Sequence, residues 1–165
     1  MTREEWIVAT EIAFEKLMTP TRGIPFDLME EPIDDGGWSF LNLASHFTFW
    51  DSLVLRALED LNHGRRFEWQ LYADEEHWDA HARATAWSQG YKRVLTELRL
   101  THSTLTEAVR LIPDAKLLVN GEMPSWLIER VPAHYAQHTP QVEAWAVRLR
   151  REGRALPPLN ILGGA

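Results

Sequence analysis

Residues 131–145, VPAHYAQHTPQVEAW, set His134 and His138 four positions apart on a segment whose apolar spacing is otherwise helical. Positions i and i+4 lie one turn apart on one helix face, so both rings point into the same space, as a pair of metal ligands would. In the zincin signature a Glu follows the first His and acts as general base; here Tyr135 stands in that place, so this is not a metalloprotease helix. Pro132 and Pro140 each lack an amide donor, and each is expected to leave a carbonyl without its partner and kink the helix. The helix is expected to run from about Ser125 to Arg151, with Ile128, Val131, Tyr135, Val142, Trp145 and Leu149 as its core residues.

Working outward, the same spacing of three and four recurs along the chain. Thr2 and Glu5 form a capping box ahead of Trp6, Ala9, Ile12, Ala13 and Leu17, which predicts a helix from about residue 3 to Met18. Three prolines and two closing glycines between Thr19 and Gly37 predict a long irregular connection with one helical turn at FDLMEE. Ser39 is the expected cap of a second helix carrying Phe40, Leu43, Phe47, Trp50, Val54, Ala57, Leu58 and Leu61 and ending near Gly64. His46 lies in this helix, close to its strongly apolar face. Asp74 is the expected cap of a third helical stretch reaching about Ile112, with a break near Ser88–Gly90, Ser88 recapping, and Val94, Leu95, Leu98, Leu105 and Val109 as its core stripe. With no alternating strand pattern, the chain reads as all-α: an up-and-down four-helix bundle with one long crossover, in a single domain over residues 1–152 followed by a loosely packed tail, 153–165. Such bundles build their sites from side chains on facing helices.

Composition narrows the chemistry. A chain of 165 residues with 45% apolar residues supports one domain with a real core. A net charge of −7 argues against a nucleic-acid partner, which needs a basic surface to release counterions. Without cysteine, thiolate catalysis, disulfides and Cys-type metal sites are excluded, leaving His and carboxylates as metal ligands. No run is long enough to span a bilayer, and acids stand near the N-terminus where a signal peptide would be basic, so a cytoplasmic location without membrane association is expected. The eight tryptophans are expected mainly to fill gaps between helices, with an apolar ligand pocket as the alternative.

The segments GWSFLNLASHFTFWDSLVLRAL, WDAHARATAWSQGYKRVLTELRLTH and AHYAQHTPQVEAW, in this order from Trp38 to Trp145, resemble the DinB-like (YfiT-related) four-helix-bundle family. That family's second helix pairs a Trp-Ser start with a His followed by an aromatic or aliphatic residue and a Trp, and in its last helix an HxxxH pair is followed by a Gln and an apolar residue. The resemblance implies a metal triad of His46, His134 and His138 holding a divalent ion such as zinc, nickel or iron. It also implies a homodimer, and an activity among thiol-dependent transferases, isomerases or hydrolases that act on small molecules, with a low-molecular-weight thiol as a partner. The sequence departs from the pattern at His77, where relatives often carry Asn, and at Pro140. His77, Asn42, Trp50, Tyr135 and Gln137 are candidates for substrate or water contacts. The competing reading is a non-enzymatic binding or stress-related bundle whose histidines only satisfy one another. His77 and His81 form a second i,i+4 pair, ranked lower because Glu75, Glu76 and Asp79 mark a solvated charged face. Three imidazole ligands, each needing to be neutral, predict metal release below about pH 6.

Overall fold

The helix starts that Thr2, Ser39 and Asp74 mark in the sequence are all capped in the computed structural model, which describes residues 1–157 apart from the side chains of residues 86, 87, 89 and 91. Thr2 and Glu5 exchange hydrogen bonds at the start of α1 (Arg3–Met18), Ser39 and Asn42 do so ahead of α2 (Phe40–Asn62), and the Asp74 carboxylate accepts from the His77 amide ahead of α3 (Glu75–Gln89). These caps satisfy amides that a helix leaves open in its first turn. The chain continues through α4 (Tyr91–Leu111), a single turn α5 (Asp114–Leu117), α6 (Ser125–Arg130) and α7 (Pro132–Arg151). No strand occurs among the described residues, and no helix is long and apolar enough to cross a membrane.

The result is an all-helical bundle in which α2 packs on α3 and α4 while α1 packs on α7. Helix α2 is its centre: every residue from Phe40 to Phe47 is buried, so an expected stripe became a helix buried on most sides. The connection 19–37 is irregular as expected, with 3₁₀ turns at Thr19–Thr21 and Phe26–Glu30; it buries Ile24, Leu28, Met29 and Ile33 in the core.

Three expectations about local structure need correction. Ile12 is half exposed, because α1 turns Trp6, Thr10, Ala13, Phe14 and Leu17 inward instead. Ser88 does not recap the third stretch: its hydroxyl donates to Thr85 O within α3, and the break is made by Gly90 at φ 75°. The helix expected over 125–151 is two helices, because Val131 leaves the helical region at φ −124°, ψ −81°. Pro132 then sits at the start of α7, where its missing N–H has no bond to lose, rather than kinking one long helix. In the expected tail, Leu156 N donates to Gly23 O, Arg150 to Leu156 O, and Arg154 pairs with Glu31; residues 158–165, the rest of it, lie outside the described residues.

Candidate metal centre

The packing of α7 beside α2 brings three imidazoles together across 88 residues of sequence. His46 comes from the second turn of α2, while His134 and His138 lie on successive turns of α7. His46 Nε2 lies 2.9 Å from His134 Nε2, and one ligand atom from each of the three residues lies within 4.8 Å of the others, close enough to hold a metal ion. The Phe47 ring stands edge-on to His134 and His138, an apolar backing to the cluster.

The partners of the outer ring nitrogens decide which atoms face inward. His46 Nδ1 donates to Asp79 Oδ1 at 2.8 Å, and the Trp50 indole N–H reaches the same oxygen at 3.4 Å. His138 Nδ1 is 2.9 Å from the Gln141 amide. Because His46 Nδ1 donates to a carboxylate, its Nε2 lone pair is left for a ligand, the arrangement in which an outer partner fixes the tautomer of a metal-bound histidine, whereas His138 Nδ1 accepts from the Gln141 amide nitrogen. Nitrogens bound to one tetrahedral ion at about 2.05 Å stand roughly 3.3 Å apart, so the His46–His134 pair fits with a few tenths of an ångström of opening.

The electrostatics agree with that fit. Burial drives the ionisation of His134 down to about 3, with the neighbouring His46 and His138 adding to it and Asp79 opposing. Burial likewise lowers His138 to about 4, again with a contribution from His46. Burial pushes the Asp79 carboxyl upward, but the hydrogen bond and charge of His46 outweigh it and the net shift is downward. At neutral pH, therefore, His134 and His138 are uncharged lone-pair donors and Asp79 is a carboxylate. A structural site closes its ion with four protein ligands, and three leave a position for a water or substrate.

The histidines open onto a cavity of ≈ 300 Å³ lined also by Trp50, Val54, Trp69, Glu75, Asp79, Glu129, Arg130 and Gln137. Trp50 and Gln137 therefore stand where a substrate contact would be. The other three candidates have different occupations. Asn42 is the third residue of α2 and caps it through Ser39. Tyr135 is fully buried and donates its hydroxyl to Asp51 on the core side of α7, because a residue one step from His134 points about 100° away from it. His77 is exposed and packs on Trp78, while His81 lies against Phe49 and Trp78. The tryptophans divide between both expectations: Trp6 and Trp145 fill the core, Trp50 and Trp69 line the cavity.

Sequence reading missed Asp79, Glu75, Glu129, Arg130, Trp69 and Gln141. The available signal was the spacing of Glu75, Asp79 and Ala82, since Ala82 is buried and marks the inward side of α3. It also missed a polar chain that runs from the exposed Glu11 into the core behind α7. Glu11 Oε2 lies 3.2 Å from His102 Nε2, His102 Nδ1 lies 3.3 Å from the Tyr135 hydroxyl, and that hydroxyl donates to Asp51 Oδ2. Phe14 stacks on the His102 ring at 3.8 Å. Asp51 is pushed up to about 7 by burial, against the Tyr135 hydrogen bond, and its Oδ1 has no partner among the described residues.

Fold and site together define an all-helical bundle carrying a three-histidine cluster able to hold a metal ion. Comparison with protein-family models, with curated proteins and with solved structures returned no match for this chain.

Proposed function

We propose that this chain is a metal-dependent enzyme of the DinB-like (YfiT-related) four-helix-bundle type, acting on a small molecule as a thiol S-transferase or hydrolase. In this reading α1, α2, α4 and α7 are the bundle, residues 19–37 are its crossover, and α3 is a cover over the site. The observation that carries the proposal is the convergence of His46, His134 and His138 at the wall of an open cavity, with the Nδ1–H of His46 held from behind by Asp79. A divalent ion such as zinc, nickel or iron, once bound, lowers the pKa of a water or thiol and so supplies a nucleophile near neutral pH.

The protein's own groups do the rest. Asp79 holds the His46 N–H and fixes its tautomer, Trp50 and Trp69 shed water from the cavity walls, and Gln137 offers both a donor and an acceptor to a substrate. The homodimer is part of the same proposal, supported by the exposed apolar side chains Val8, Ile12 and Val147 on the paired helices α1 and α7; light scattering at micromolar concentration checks it.

Elemental analysis of untagged protein tests the metal, with close to one divalent ion per chain expected and none in His134→Ala. Turnover with low-molecular-weight thiols then tests the enzyme. A stoichiometric metal with no turnover on thiol or hydrolysable substrates favours the non-enzymatic bundle, and a metal-free protein whose histidines merely bond one another removes the proposal.

A further inference from the structure

The lining of the cavity carries a feature that a metal site does not need. Arg130 closes α6 with its guanidinium carbon 3.9 Å from the centre of the Trp69 ring, a cation–π contact that holds the group flat. Glu75 and Glu129 act on it through space, yet it forms no ion pair and donates no hydrogen bond among the described residues. A guanidinium held by its face keeps its edge of N–H donors for something else, and that edge matches a carboxylate.

Charge balance narrows the partner. Glu75, Asp79 and Glu129 set three carboxylates against the one guanidinium of the lining, an excess of two negative charges that a divalent ion cancels. A loaded cavity is then neutral overall, with a cation at Arg130 and the acids Glu75 and Glu129 near enough to act on it, as the adjacent opposite charges of an α-amino acid require. A purely anionic ligand meets the two glutamates, and a purely cationic one meets the metal and Arg130. We propose that the cavity selects a small zwitterion bearing a free α-amino-acid group, its carboxylate on Arg130 and its ammonium between Glu75 and Glu129, with the reacting thiol or carbonyl directed at the three histidines. The cavity volume of ≈ 300 Å³ suits a molecule of that size. This inference rests on the metal reading and names the substrate class for it.

Calorimetry on zinc-loaded protein at pH 7.5 tests it with L-cysteine, cysteine methyl ester, which lacks the carboxylate, and N-acetylcysteine, which lacks the ammonium. Zinc occupancy is measured first, so that failure to load defeats the metal centre before any thiol is added. With loaded protein, Arg130→Gln is expected to weaken L-cysteine by about tenfold or more while leaving the methyl ester unchanged. The Glu75→Gln, Glu129→Gln double variant is expected to weaken L-cysteine and the ester but not N-acetylcysteine. Comparing each thiol with itself across variants cancels differences in thiol acidity, and the retained ester binding of Arg130→Gln reports that the site is intact. Should Arg130→Gln fail to fold, Arg130→Lys, which keeps the charge and loses the fork, is expected to weaken L-cysteine alone. Equal weakening of L-cysteine and ester by the Arg130 variant, or no weakening of either, overturns the zwitterion site while leaving the metal centre standing.

Discussion

Asp79 ties α3 to the three-histidine cluster, since its carboxylate takes the Nδ1–H of His46 on α2 and the Trp50 indole N–H as well. Removing such an outer partner typically costs 10–100-fold in metal affinity. Asp79→Ala is therefore expected to weaken zinc by about that factor, with Asp79→Asn in between because its amide oxygen still accepts; competition with a chromophoric chelator measures both, and an unchanged Asp79→Ala dissociates this residue from the metal. Asp51 makes a different prediction. Its folded pKa of about 7 lies above the ordinary 3.8, so the native state holds a proton that the unfolded chain has released over that range. Its contribution to stability is therefore full at the acid end and lost as pH rises toward 7. Asp51→Asn stays neutral throughout, so the variant's melting temperature relative to wild type is expected to climb between pH 5 and pH 8. A constant difference across that range means Asp51 is ionised already at pH 5. Neither residue stood out in the sequence: Asp79 shares a stretch with Glu75 and Glu76 and reads as part of a solvated face, and its partner lies 33 positions away.

The helices themselves were legible where a side chain marked their ends. Thr2, Ser39 and Asp74 each stand just before a run with apolar steps of three and four, and a cap acts within three residues, so the local sequence contains all the physics needed. The α6–α7 boundary was not legible, because a proline inside a periodic run has two outcomes: it bends one helix or begins a second. Here Pro132 begins α7, while Pro140 lies inside it. The two prolines should therefore respond oppositely to substitution. Pro132→Ala loses a residue already set for the first helical position and is expected to cost about 0.4–1 kcal/mol through the unfolded chain. Pro140→Ala restores an amide for the carbonyl of Ala136 and removes a ring clash, and is expected to stabilise the metal-free protein by roughly 1–3 kcal/mol. Urea titrations of the two variants give the signs directly. A destabilised Pro140→Ala would mean that packing around the proline, rather than helix continuity, sets the stability of α7.

At the scale of the whole molecule, the three-histidine cluster links helices that meet only on folding. His46 and His134 are 88 residues apart, and the unfolded chain offers no such preformed set, so metal binding energy enters as folding energy. A ligand at a hundredfold excess over its dissociation constant adds about 2.7 kcal/mol, and for a chain of this size one kcal/mol moves the midpoint by roughly 2–4 °C. Zinc loading is thus expected to raise the melting temperature by about 5–10 °C at pH 7.5, and exhaustive chelation to take the gain away. On the acid side, His134 and His138 titrate near 3 and 4 when metal-free, well below a free imidazole. Because both are neutral in the fold and protonated in the unfolded chain between those values and about 6.5, their part of the stability is present above that range and lost as pH falls through it. Proton competition at these two ligands accordingly starts lower than the value near pH 6 expected for three free imidazoles. Acid alone does not identify a metal site, since buried neutral histidines lose stability in the same direction with or without an ion. The chelator separates the cases: a melting temperature that stays put at pH 7.5, in protein whose zinc content is measured before and after chelation, leaves three histidines that hold each other and nothing else.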